Sequence, residues 1–155
     1  MTGDGGDNQL EAYTKRVFEQ TMTAWANQDL DRALSFVSDD IVHTLNVDGE
    51  LVPFAASVKG KAAMREKLEL MLNTFEIGAC VTDHVSVQGN TTRANMKAIY
   101  VHLASGQRLV TKFRYVIEQR DGLIVRINEF HDAAYLEAFM RFIAASEKPR
   151  DLDCR

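Results

Sequence analysis

The chain has 155 residues, 46% hydrophobic and 26% charged, with a formal net charge of −4. That length and balance suit one soluble domain with a real core. The acidic excess and the absence of a long basic run argue against nucleic acid or an anionic membrane surface as partner, and no apolar run approaches the roughly 20 residues that span a bilayer.

Residues 1–8 are expected to be disordered, because their Gly and Asp offer nothing to bury. This acidic, Gly-rich start is the opposite of a signal peptide's basic one, so a cytoplasmic placement is expected. Asn8 followed by Glu11 resembles a capping box that opens a helix running to about Asn27. Leu10, Tyr13, Val17, Thr21 and Ala24 recur at helical spacing, with Phe18, Met22 and Trp25 beside them. Asp29 is placed to cap a short second helix that turns Leu30, Ala33, Leu34 and Val37 inward. Ser38-Asp39-Asp40 is expected to break it. A strand then runs over Ile41–Val47, with Ile41, His43, Leu45 and Val47 on one face. Asp48-Gly49 is a turn signal, and Leu51–Phe54 is expected to pair back as an edge, since Pro53 cannot donate to a central ladder.

A third helix follows Gly60, with Met64, Leu68, Met71, Leu72 and Phe75 as its apolar stripe. Lys61, Arg65, Glu66, Lys67 and Glu69 are assigned to its solvated face. From Glu76 the pattern changes to β-branched, alternating segments separated by Gly89-Asn90, Ser105-Gly106 and Asp121-Gly122. Strands are expected near Ile77–Val87, Thr91–Leu103, Arg108–Gln119 and Leu123–His131. A last helix near Ala133–Ala144 buries Leu136, Phe139, Met140 and Ile143, and residues 146–155, with Pro149, form a flexible tail. Helices first and a long meander after them give an α+β class in one domain over 9–145, with helices on one face of a curved sheet.

The candidate site lies where the last strand meets the last helix. Phe113, Tyr115 and Ile117 share one strand face; Val125, Ile127, Glu129 and His131 share one face of the next, unless a bulge intervenes. Asp132 precedes a helix, so it serves as an N-cap, as a carboxyl group whose pKa burial would raise for proton transfer, or as both. His131 is a surface or interface histidine unless the strand bends and brings it to the pocket with Asp132. Glu129 sits in an apolar alternation and is paired, with Arg126 or Lys112, or functional. Tyr115 is a core aromatic or a hydrogen-bond donor to a substrate oxygen. His43 is a satisfied core histidine or a ligand contact, and Trp25 is packing or a pocket wall. Phe113 joins Trp25, His43 and Glu129 as a binding residue. The four histidines and two cysteines show no metal-ligand spacing, so no metal and no cofactor are expected. GxSxG, P-loop and GxGxxG motifs are absent.

Three stretches resemble the SnoaL-like polyketide cyclase and ketosteroid isomerase group of the nuclear transport factor 2-like superfamily. They are Trp25–Asp31 through Phe36–Ile41, Val58–Met64, and Arg120–Asp132, which is similar to a closing R-D-G-K-I-V-R…E-Y-F-D pattern. The resemblance implies a cone: a curved antiparallel or mixed sheet wrapped around three N-terminal helices, with a C-terminal helix and a pocket at the wide end. It implies a cofactor-free isomerase, cyclase, dehydratase or epoxide hydrolase acting on a hydrophobic small molecule, and a homodimer formed through the outer sheet face. Asp132, His131 and Tyr115 would then be catalytic. The acids and tyrosine of ketosteroid isomerases fall near Thr21, Leu45 and Tyr115 and are not kept, which favours a rival expectation: a non-catalytic, dimeric ligand-binding or accessory domain.

Overall fold

The computed structural model describes residues 4–147; of the expected tail, residues 148–155 with Cys154 lie outside them, while residues 146 and 147 are helical. Helix α1 spans Asp4–Ala26, α2 Leu30–Ser35, α3 Lys61–Thr74 and α4 Ala133–Glu147. A 3-10 turn covers Pro53–Ala55. The strands are β1 Val37–Leu45, β2 Val58–Lys59, β3 Phe75–Gln88, β4 Thr91–His102, β5 Arg108–Arg120 and β6 Leu123–His131. They form one six-stranded sheet in the order β2-β1-β6-β5-β4-β3. All neighbours are antiparallel except β1 and β6, which run parallel. The class is therefore α+β, with a mixed, open and curved sheet.

Local chemistry explains most boundaries. The α1 helix begins at Asp4 rather than at Asn8, and its buried stripe is Thr14, Val17, Phe18, Thr21, Ala24 and Trp25. Leu10 and Tyr13, assigned inward, are exposed because this end of α1 overhangs the sheet hairpins: Gly89 N–H donates to Glu11, and Tyr13 packs on Gly122. Gln28 leaves the helix with a positive φ, and the Asp29 side chain accepts from Arg32 N at 3.1 Å to cap α2.

Two expectations near β1 are corrected. Ser38-Asp39-Asp40 is not where the second helix breaks: α2 already ends at Ser35, and these residues lie within β1, where its register against β6 shifts between Val37 and Val42. The segment that pairs back is Val58–Lys59, not Leu51–Phe54, whose Pro53 starts the 3-10 turn instead. Gly60, at φ 95°, then turns the chain into α3. Phe75 is the first residue of β3 rather than the last of α3, and it is fully buried.

The meander follows its turn dipeptides. Asp121 and Gly122 both have positive φ between the paired Arg120 and Leu123, the two-residue turn whose twist suits a hairpin. Alternation then sends Thr92, Ala94, Met96, Ala98 and Tyr100 of β4, and Leu109, Thr111, Phe113, Tyr115 and Ile117 of β5, toward the helices.

In β6 the alternation is interrupted by a bulge. Glu118 pairs with Arg126 and Gln119 with Ile124, leaving Val125 as a surplus residue. Ile124 rather than Val125 therefore joins the core, while Ile127, Glu129 and His131 keep the inward face.

Candidate active site

Between the helices and the inner sheet face lies a cavity of about 100 Å³. Its helical side is apolar, carried by Met22 and Trp25 of α1, Leu34 of α2, Met64 and Met71 of α3, and Leu136 of α4. Its sheet side carries His43, Tyr100, Tyr115, Glu129 and His131.

The polar groups form a row. Lys67 projects from α3 and is only 5% exposed. Its ammonium donates to Ala56 O at 2.9 Å and lies 2.7 Å from Nδ1 of His43. Nε2 of His43 lies 2.7 Å from Oε2 of Glu129. Oε1 of Glu129 lies 4.0 Å from Nε2 of His131. An ammonium can only donate, so Nδ1 of His43 accepts from Lys67 and Nε2–H donates to Glu129. Glu129 thus has a buried partner, but it is neither Arg126, which faces Glu118 at 3.7 Å, nor Lys112, which is exposed.

The electrostatics follow from burial and this row. Burial alone would raise the Glu129 carboxyl, but His43, through its close approach and hydrogen bond, with His131 and Lys67 behind, holds it at about 2. Burial lowers Lys67 to about 8 against the pull of Glu129. Burial also lowers His131, with Glu129 opposing, so its imidazole is neutral at pH 7. Tyr100 and Tyr115 are pushed well above the usual phenol range by burial and then by nearby charge, so both keep their O–H. The Glu129 carboxylate also engages the Tyr115 hydroxyl.

His131 is held rigidly. Its ring stacks on Phe113 at 4.7 Å and 22°. Its backbone is paired on both sides: His131 N–H donates to Asn46 Oδ1 at 2.8 Å, and Asn46 Nδ2 donates to His131 O at 2.9 Å. Nδ1 of His131 is buried and has no hydrogen-bond partner among the described residues. A buried nitrogen left without a partner, on a side chain that lines the cavity, calls for a chemical explanation.

Of the residues singled out in the sequence, Trp25, His43, Tyr115, Glu129 and His131 meet at the cavity. Phe113 does not line it; it supports the His131 ring from behind. The placement of Asp132 is corrected. The Asn46 clamp keeps β6 extended through His131, so alternation turns Asp132 outward, where it is exposed and its carboxylate accepts from Tyr135 N at 3.1 Å to cap α4. Lys67, assigned to the solvated face, is the residue the sequence reading missed. The signal was present: Lys67 is three residues after Met64 and four before Met71, on the inward stripe. Among the described residues, no three His, Cys, Asp or Glu side chains gather as metal ligands, and no helix is long and apolar enough to cross a membrane.

Comparison with known proteins identifies relatives of this fold. The SnoaL-like domain family matches residues 18–127. An NTF2-like protein from Burkholderia xenovorans LB400 superposes with a TM-score of 0.71 at 17% identity, covering 83% of this chain and 95% of its own. An LEH-like epoxide hydrolase from M. tuberculosis gives 0.69 at 15% identity, covering 88% and 96%. A provisionally named polyketide cyclase from Xanthomonas campestris pv. campestris gives 0.69 at 19% identity, covering 84% and 98%. At these identities the structural likeness establishes the fold alone. No curated protein matches the sequence.

Proposed function

The chain belongs to the SnoaL-like domain family, and from that premise we propose that it is a cofactor-independent enzyme that moves protons on a small, apolar, oxygenated substrate. The observation that supports this reading is His131 itself: its side chain lines an apolar cavity, its buried Nδ1 has no partner among the described residues, and its Nε2 faces the Glu129 carboxylate. A carboxylate 4.0 Å from Nε2 favours the tautomer with the proton on Nε2, which leaves Nδ1 as a bare lone pair. That lone pair is the general base. The imidazolium formed when it takes a substrate proton is stabilised by Glu129, and it returns the proton at another atom of the substrate. Tyr100 and Tyr115 remain protonated: Tyr100 offers its O–H to a substrate oxygen as charge develops on it, and Tyr115, whose hydroxyl Glu129 engages, helps to hold that carboxylate in place. Trp25 and the helical wall exclude water, which strengthens each of these interactions.

Proton abstraction is testable without knowing the natural substrate. Small apolar ketones and epoxides in D2O, followed by NMR, are expected to include a ketone whose α-hydrogens exchange with protein catalysis. The His131→Gln variant should lose roughly 10²- to 10⁴-fold of that exchange while keeping its fold. Exchange unchanged by the substitution overturns the assignment of His131. Ligands that bind without any exchange favour the second reading, a non-catalytic binding domain, which the residues at Thr21 and Leu45 support.

The same reading includes a cytoplasmic homodimer. Its support is an apolar contribution on the outer sheet face, where Phe130 is exposed and Arg114 lies over its ring at 5.3 Å.

A further inference from the structure

A buried lysine without a direct carboxylate partner is an expensive choice for a helix stripe otherwise made of Met64, Leu68 and Met71. A methionine at position 67 would continue that stripe. The ammonium instead spends its hydrogen bonds on one carbonyl, Ala56 O, and one imidazole nitrogen, Nδ1 of His43. We infer that Lys67 is a positioning residue: it locks His43 as the neutral Nε2–H tautomer, so that Glu129 stays anionic and His131 is the only histidine of the row free to take a proton. This inference rests on His131 being the proton acceptor of the site.

Glu129 lies between two histidines, at 2.7 Å from one and 4.0 Å from the other. By distance alone, His43 would be the better imidazolium, and a proton captured there would neutralise Glu129 and leave His131 unsupported. Lys67 forbids it. A second proton on His43 would sit on Nδ1 and point into an ammonium 2.7 Å away. The geometry therefore makes two similar histidines inequivalent. The titratable groups around this lock are Glu129 and His131 of β6, Tyr115 of β5, Tyr100 of β4 and Cys80 of β3. Helices α1, α2 and α4 bring only uncharged side chains to the cavity wall. Apart from Lys67, then, the charged partner of His43 among the described residues is Glu129, at 2.7 Å. The row is electrically balanced when Lys67 is positive, Glu129 negative and both imidazoles neutral.

Side-chain nitrogen NMR of ¹⁵N-labelled protein tests this between about pH 5 and pH 8, where an ordinary histidine titrates. In the unsubstituted protein His43 is expected to remain the neutral Nε2–H tautomer throughout. In Lys67→Met it is expected to take up a second proton within that window, and ketone α-hydrogen exchange should fall about 10-fold at neutral pH, less than the 10²- to 10⁴-fold of a direct acid–base group. A native His43 that titrates or carries its proton on Nδ1 overturns the inference, as does a Lys67→Met protein whose His43 signals are unchanged. Should Lys67→Met fail to fold, the native spectrum still decides the tautomer. Lys67→Gln, a donor without charge, is then expected to let His43 titrate, and a His43 that stays neutral in that variant overturns the lock. The tautomer is read without turnover, so it can fail while His131-dependent exchange survives, and the exchange can fail while the tautomer stands.

Discussion

His131 and Asp132 are neighbours in sequence, yet one faces an apolar cavity and the other faces water. The difference is a single step of strand alternation, kept in place by the Asn46 clamp. Asp132→Ala should therefore remove a helix cap and little else: stability should fall by about 0.5–2 kcal/mol in chemical denaturation, and ketone exchange should not change. Tyr115, Glu129, His43 and Trp25 were legible as candidates because each interrupts or flanks an apolar pattern. Lys67 was missed despite its spacing to Met64 and Met71, because a lysine among Lys61, Arg65, Glu66 and Glu69 reads as one more solvated charge. Only the neighbouring strand reveals that the α3 stripe includes a position where a cation meets an imidazole.

At the scale of elements, the site depends on the surplus residue in β6. The Asp121-Gly122 turn fixes the hairpin register at Arg120 and Leu123. Uninterrupted pairing from that turn would send Arg126, Asn128 and Phe130 inward. The bulge at Val125 reverses this and delivers Ile127, Glu129 and His131 to the cavity. Deleting Val125 removes the surplus without changing which residues face in, so exchange should persist. Deleting Asn128 should turn Glu129 and His131 outward and abolish it, with circular dichroism confirming a folded chain in each case. The strands themselves were legible from β-branched alternation and turn dipeptides. Which of Ile124 and Val125 is buried was not, since both are equally apolar and the choice is made by register.

For the whole molecule, the buried charges set how stability responds to pH. His131 is held below its ordinary 6.5, so the unfolded chain binds a proton that the folded chain refuses, and stability declines as pH drops below about 6.5. Glu129 at about 2, against 4.5, adds stability that is present above about pH 4.5 and is lost as pH falls toward 2. Lys67 works from the other side: at about 8 against 10.5, it makes stability rise as pH climbs between those values. Urea midpoints across pH should show a long acid decline, and Lys67→Met should erase the alkaline gain. The proposed dimer belongs to this scale too. Sedimentation should give a dimer, and Phe130→Glu should give a monomer that still exchanges ketone hydrogens. The α+β class and the curved sheet followed from element order, and the family from three loose motifs in the right sequence. The parallel pairing of β1 with β6 had no local signal, because it joins segments far apart in the chain.

That pairing carries a kinetic consequence. His43 and Glu129 are 86 residues apart, and they touch only because β1 docks beside the last strand of the meander. Closing so long a loop is entropically late, and contacts of this separation form slowly. The hairpins of β3 to β6 need no such closure and should be protected first in pulse-labelled refolding. The paired charges would then be sealed from water by the final docking event, and a refolding intermediate would hold a nearly complete sheet with no working centre.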